Sequence, residues 1–353
     1  MPTEGPYHAV IMRWLDALAP ELEDRGLVGD RRALVRRVPS ALRHRLPSDT
    51  WQRLCMPTGV RITFRTNSPA IALRAEWLSS PSVRASLPFQ RYRAGAIDIY
   101  LNGQFYSQIG SSGVEAVEDM VYDGPERDQV VELYMPAHAE IRFAGVGITE
   151  GSDIALPNAG VRPTVVFYGD SITHGSVTAR PGTTYPARVA RALGVDFVNL
   201  GVGGSARGEA AMAQIIGSLK ADVIVLAYGV NSFGSSFEEP RAFDTTYDQF
   251  LGIVRAAQPA VPIVVLTPLF HTQEFEETTL GGAKLEEYRR VIREVVYRRQ
   301  SFGDFNLVLV DGHSVIGPGQ GDLLADHVHP NDQGFAAISE ILGAQIGRIL
   351  SLL

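Results

Sequence analysis

Hydrophobic and polar positions follow two different rhythms along the chain. Up to about residue 158 the apolar positions fall in short runs: RITFRT (61–66), AIALRAEW (70–77), AIDIYLNGQFY (96–106), QVVELYM (129–135) and AEIRFAGVGI (139–148). Several alternate with a period of two and are rich in β-branched or aromatic residues, the pattern of half-buried antiparallel strands. Asn102-Gly103 sits inside the third run and predicts a tight hairpin there. Strands separated by turn signals predict a β-sandwich. Near the start, Ile11, Trp14, Leu15 and Leu18 recur at helical spacing and predict a short helix before Pro20.

From about Pro163 the rhythm changes. TVVFY (164–168), DFVNL (196–200), DVIVLAY (222–228), IVVLT (263–267) and NLVLV (306–310) are continuous apolar runs of strand length. Helical patterns separate or follow them at roughly 184–193, 205–219, 240–257, 282–300 and 333–350. This alternation predicts an α/β unit: a parallel sheet with right-handed crossovers and helices on both faces. IALPNAGVRP (154–163) reads as the linker, dividing the chain into a β-sandwich accessory domain, 1–158, and an α/β domain, 159–353.

Composition narrows the class. The length of 353 residues suits two cores of ordinary size. With 45% hydrophobic and 20% charged residues the chain is neither disordered nor fibrous. A net charge of −7 makes a nucleic-acid or anionic-membrane partner unexpected. Cys55, the sole cysteine, permits no intrachain disulfide, which fits a reducing compartment. The first residues do not lead from a basic stretch into a long apolar run, and segments such as VIVLA (223–227) are too short to span a bilayer. The expectation is a soluble cytoplasmic protein.

In parallel sheets chemistry collects at the carboxyl ends of the strands. The first strand ends in Gly169-Asp170-Ser171-Ile172-Thr173-His174-Gly175, where the Ser171 hydroxyl is placed to enter a crevice and its N–H to meet developing negative charge. Alternatively, Asp170 and Ser171 are turn or cap residues. The second strand runs into Gly201-Val202-Gly203-Gly204-Ser205-Ala206, whose glycines leave backbone N–H groups free to donate. Gly201-x-Gly203-x-x-Ala206 also fits a dinucleotide-binding turn, with Asp222 at the spacing of a ribose ligand but at the wrong end of its strand. Asn231, after the third strand, offers a side-chain donor or an Asx turn. Near the C-terminus, Asp326 and His329 are three apart. A carboxylate hydrogen-bonded to the ring fixes its tautomer and leaves the far nitrogen to take a hydroxyl proton. The rival reading is a metal site from Asp326, His327 and His329, but no further ligand cluster accompanies them and no metal is expected.

These blocks, in this order, resemble the SGNH/GDSL hydrolase family. Gly169-Asp170-Ser171 is similar to its first block, Gly204 to the glycine block, Gly229-x-Asn231 to the asparagine block and Asp326-x-x-His329 to the last. The resemblance covers about residues 163–350. It implies a flavodoxin-like, three-layer, five-stranded fold, with Ser171 as nucleophile, His329 as base and Asp326 as its orienting acid. It also implies an oxyanion hole from the Ser171 and Gly204 N–H groups and the Asn231 side chain. The family often continues Asn-Asp, whereas Ser232 follows Asn231 here. The preceding sandwich is similar to two-domain members, some of them carbohydrate esterases with a jelly-roll-like front domain, others tailoring acyltransferases.

The expected chemistry is acyl transfer through an acyl-serine to a small-molecule hydroxyl, in the manner of natural-product tailoring, or to water in an esterase. It needs no bound cofactor, and an acyl thioester such as acyl-CoA is the expected co-substrate. Phe233 and Phe237 in one loop, and Phe270 and His271 in another, are candidates to stack on a planar acyl group or acceptor; loop-to-domain packing is the other reading.

Overall fold

The computed structural model describes residues 11–28, 34–79, 95–110, 113–157, 160–235 and 238–353. The N-terminal part forms two antiparallel sheets. In one, Met12–Asp16, Ile141–Thr149, Ala70–Trp77 and Ala116–Asp123 lie side by side, with Leu34–Val35 also on Ile141–Thr149. In the other the order is Ile154–Ala155, Arg61–Thr66, Gln129–Tyr134, Ile97–Leu101 and Gln104–Ile109, with Glu23–Arg25 on Arg61–Thr66. Ile71, Leu73, Ala75 and Trp77 of the first sheet meet Ile62, Phe64, Val131 and Leu133 of the second in one core. The hairpin at Asn102-Gly103 forms as expected, with φ of 51° and 79°.

The helix expected before Pro20 is instead the strand Met12–Asp16. Leu15 enters the core, but Trp14 lies on the opposite face, over Gly147 and beneath the Arg74 guanidinium. Ile11 and Leu18, half of the apparent helical stripe, are 74% and 50% exposed. Pairing with the edge of Ile141–Thr149 overrides that spacing.

The second half is a parallel sheet. By sequence number its five strands, Thr164–Gly169, Asp196–Asn199, Val223–Ala227, Ile263–Leu266 and Leu307–Val310, run in the order 2-1-3-4-5. This is the flavodoxin order, with its switch point beside the first strand. Alternate residues face opposite ways: Val166, Tyr168, Ile224 and Leu226 pack on Ala210–Gly217, Pro240–Ala257 and Leu285–Ser301. Val165, Phe167, Val223 and Val225 pack on Tyr185–Leu193 and Asp332–Leu350.

A segment from the N-terminal part completes one face. Val38, Leu46, Trp51, Leu54 and Cys55, around the helix Ser48–Leu54, join the α/β core. Beside them Arg37 is fully buried and donates to the carbonyl oxygens of Met56 (2.8 Å), Asn199 (3.1 Å) and Gly201 (2.6 Å). Burial lowers its pKa to about 9. Among the described residues no helix is long and apolar enough to cross a membrane.

Candidate active site

The first strand turns into the short helix Ser171–His174 at a point where only glycine fits. A Cβ on Gly169 would lie 2.1 Å from Thr173 Oγ1 and 2.4 Å from the Ala227 carbonyl oxygen. Asp170 caps the turn, accepting from the Ile172 N–H at 2.9 Å. Its carboxyl is buried, and desolvation raises its pKa to about 6 against the pull of that bond. Ser171 opens the helix, and its own N–H meets no acceptor among the described residues. Asn199 braces the turn, donating to the Thr173 carbonyl (2.8 Å) while accepting from the Gly201 N–H (2.9 Å).

From the loop before the last helix, His329 Nε2 comes within 2.8 Å of Ser171 Oγ. On its other side Nδ1 lies 2.8 Å from Asp326 Oδ2 and 3.0 Å from Oδ1. Oδ1 also accepts the backbone N–H groups of Val328 (2.9 Å) and His329 (2.8 Å). Partial burial works against the Asp326 charge, but the ring and backbone hydrogen bonds outweigh it and hold the carboxyl well below the usual carboxylate range. A carboxylate that accepts from Nδ1–H leaves Nε2 as the acceptor for the serine proton.

Two further donor groups follow the second and third parallel strands. Gly203 lies against the serine, since a Cβ there would sit 3.4 Å from Ser171 Cα and Cβ, and the following Gly204 adopts φ +78° with no acceptor for its N–H among the described residues. Asn231 Oδ1 accepts from the Ala206 N–H at 3.1 Å, which turns its NH₂ to the other side. Ser232, where the family often has Asp, is buried and donates to Glu238 at 3.1 Å.

Other expectations meet different outcomes. The dinucleotide reading fails: the glycines lie in an extended loop well before the helix Ala210–Gly217, and Asp222 accepts from the Thr164 N–H (2.7 Å) at the opposite edge of the sheet. Phe233 is not a stacking platform, because it is buried in the core edge-to-face with Tyr288. Phe270 likewise fills the other core. Apolar rings at loop roots gain more by sealing the sheet than by facing water. His271 is buried, its Nδ1 accepting from the Gln273 N–H at 3.1 Å. Phe237 lies outside the described residues. His327 turns to Thr272 Oγ1 (3.2 Å), and no group of three or more His, Cys, Asp or Glu among the described residues is arranged to hold a metal.

A buried histidine pair behind the nucleophile was not anticipated. His174 Nε2 is 2.7 Å from the Ala137 carbonyl oxygen, while its Nδ1 lies 3.1 Å from the Gly201 carbonyl oxygen and 3.5 Å from Arg37 Nη2. Burial, and after it the Arg37 charge, hold the ring neutral, so it carries one proton for the two carbonyls it faces. His138 stacks on it, ring centroids 4.9 Å apart, and reaches the Gly175 carbonyl with Nε2 at 3.2 Å. Burial first, then the nearby Arg53 and other cationic groups, lower the pKa of His138 to about 4. The unfolded chain takes up that proton near 6.5, so this contribution to stability is complete above pH 6.5 and lost as pH falls from there to about 4. Asp170 has the opposite sign, its contribution being lost as pH rises through about 6. The difference between wild type and His138→Gln isolates the histidine: urea midpoints measured from pH 7 to 4 should fall less steeply in the variant.

This parallel sheet, with a hydroxyl–imidazole–carboxylate series at its carboxyl edge, is that of an SGNH-type α/β enzyme. Residues 167–337 match the model of the GDSL-like lipase/acylhydrolase family, and residues 12–154 match that of the N-terminus of SGNH-hydrolase-type esterases. Residues 167–337 thus belong to the GDSL-like lipase/acylhydrolase family. Among solved structures it is similar to the salicylyl-acyltransferase SsfX3 from a tetracycline biosynthetic pathway, at 28% identity over 93% of this chain and 95% of that one, TM-score 0.84. A protein described as a GDSL-like lipase from Bacteroides ovatus has 24% identity over 97% and 98% of the two chains, TM-score 0.83. An acetyl xylan esterase from the rumen bacterium Butyrivibrio proteoclasticus shares the fold at 13% identity over 97% and 100%, TM-score 0.66. No curated protein matches the chain in sequence.

Proposed function

We propose that this enzyme transfers an acyl group through an acyl-Ser171 intermediate, from a thioester donor to the hydroxyl of a small molecule. His329 takes the Ser171 proton as the oxygen attacks the acyl carbonyl. Asp326 holds the ring in the required tautomer and balances the imidazolium. The Ser171 and Gly204 N–H groups and the Asn231 NH₂ receive the oxyanion. On collapse, His329 returns the proton to the departing thiolate, then activates the acceptor hydroxyl for the second half-reaction. The observation that carries this reading is the 2.8 Å contact of His329 Nε2 with Ser171 Oγ in series with Asp326. The reaction needs no metal or bound cofactor, and the proposal sets it in the cytoplasm, where acyl thioesters are made.

The acyltransferase direction is supported by 28% identity to the salicylyl-acyltransferase across nearly the whole of both chains, and an aromatic acyl group is the first donor to try. A second reading, an esterase or carbohydrate O-deacetylase that uses water, is favoured by the whole-chain fold shared with the acetyl xylan esterase. Intact-mass spectrometry after incubation with a panel of acyl thioesters, with and without candidate alcohols, separates the two. An adduct discharged faster by an alcohol than by water supports transfer, whereas discharge by water alone supports the esterase. Asn231→Ala should lower kcat on the order of 100-fold with KM little changed, since one oxyanion donor is worth about 2.7–4 kcal/mol; steady-state kinetics with 4-nitrophenyl acetate checks this.

A further inference from the structure

We infer that Arg53, in the helix Ser48–Leu54 ahead of the parallel sheet, is a positioning residue that aims the Gly204 N–H at the oxyanion; this rests on the reading of Ser171 as nucleophile and Gly204 as donor. In the loop after the second parallel strand three carbonyl oxygens each face an arginine. Arg37 Nη1 donates to Gly201 at 2.6 Å, Arg53 Nε to Gly203 at 3.0 Å and Arg207 Nη2 to Gly204 at 3.2 Å. The Gly203 carbonyl and the Gly204 N–H belong to one peptide plane. No cis peptide occurs among the described residues, so the two groups point in opposite directions. The arginine that fixes the carbonyl on one side therefore fixes the direction of the N–H on the other.

A plane between two glycines needs such a clamp. Neither residue has a Cβ, and Gly204 already sits at φ +78°, so steric repulsion barely opposes a peptide flip that would turn the carbonyl toward the substrate. The Arg53 guanidinium donates no other hydrogen bond and pairs with no carboxylate among the described residues, so a surface ion pair does not account for its placement. Its own support is firm. Trp51 and Leu54 anchor the helix in the α/β core, the buried Arg37 donates to the Arg53 carbonyl oxygen, and Asp49 and Thr50 contact Arg207 (3.3 Å) and Glu209 (3.1 Å) beyond the glycines.

The test uses the full-length enzyme with 4-nitrophenyl acetate as probe ester and phenylboronic acid as a tetrahedral adduct former. Arg53→Met keeps the aliphatic stem and removes the donor, while Arg53→Lys keeps a donor. In Arg53→Met, kcat should fall about 10- to 100-fold, part of the loss from deleting an oxyanion donor, with KM within about twofold. The boronate Ki should rise by a similar factor, and Arg53→Lys should recover most of both losses. Wild-type kcat in Arg53→Met, a rise in KM alone, or a fall in kcat without weaker boronate binding would each overturn the inference. If Arg53→Met does not fold, Arg53→Lys decides: kcat and boronate Ki close to wild type support the clamp, and a collapse of kcat with unchanged Ki rejects it. Ser171→Ala run alongside isolates the underlying assignment, because normal turnover there rejects the nucleophile whatever Arg53 does.

Discussion

Replacing Ser171 with alanine should leave a folded protein that gains no acyl mass from any thioester and turns over 4-nitrophenyl acetate at least about 10⁵-fold more slowly. The hydroxyl is the one nucleophile within reach of His329 Nε2 among the contacts of that ring. Ser171 sits in a capped turn whose hydrogen bonds come from Asp170 and the backbone, so truncating its side chain removes no structural bond other than the one to His329. Residual activity would come from the donor groups and from binding alone. An adduct of full stoichiometry in the alanine variant would move the acyl group to another residue and end the proposed mechanism.

Asp326→Asn should be nearly as damaging, lowering kcat by about 10⁴-fold with the fold intact. The reason lies in how the two carboxylate oxygens divide their work. Oδ1 accepts the backbone N–H groups of Val328 and His329, which an amide oxygen can still do. That leaves the new NH₂ where Oδ2 faced His329 Nδ1 at 2.8 Å. An amide donor there requires Nδ1 to accept, which puts the ring proton on Nε2, and such a ring cannot take a proton from Ser171. Measured kcat within tenfold of wild type would mean that Asp326 does not set the tautomer.

Legibility in the sequence followed the range of the forces involved. The parallel strands and the longer helices were readable because burial on both sheet faces imposes uninterrupted apolar runs and 3.6-residue stripes. The hairpin was readable because few pairs other than Asn102-Gly103 accept two positive φ angles cheaply. Met12–Asp16 was misread, since its pairing with Ile141–Thr149 overrides a local helical pattern. Ala116–Asp123 exposes Glu118, Asp119, Met120 and Asp123 while its two buried residues, Val121 and Tyr122, are adjacent, so no period-two alternation shows. Ser171, Asn231, Asp326 and His329 stood out because polar groups at strand ends are few. Arg37, Arg53 and the His138–His174 pair did not, because their meaning exists only across contacts such as the one from Arg53 to Gly203, 150 residues apart. The aromatic loops misled for a related reason: a phenylalanine's sequence neighbours do not tell whether its ring closes a core or lines a cleft.

The seating of Val38, Trp51, Leu54 and Cys55 among the α/β side chains has a practical corollary for anyone dissecting this enzyme. A fragment started at the linker would carry every residue of the proposed chemistry yet present a strip of bare apolar wall to water, and its glycine loop would lose the guanidinium groups of Arg37 and Arg53. The minimal autonomous catalyst is therefore discontinuous in the gene, and a shorter working version would have to graft the stretch from Arg37 to Cys55 back onto the sheet rather than simply trim it away.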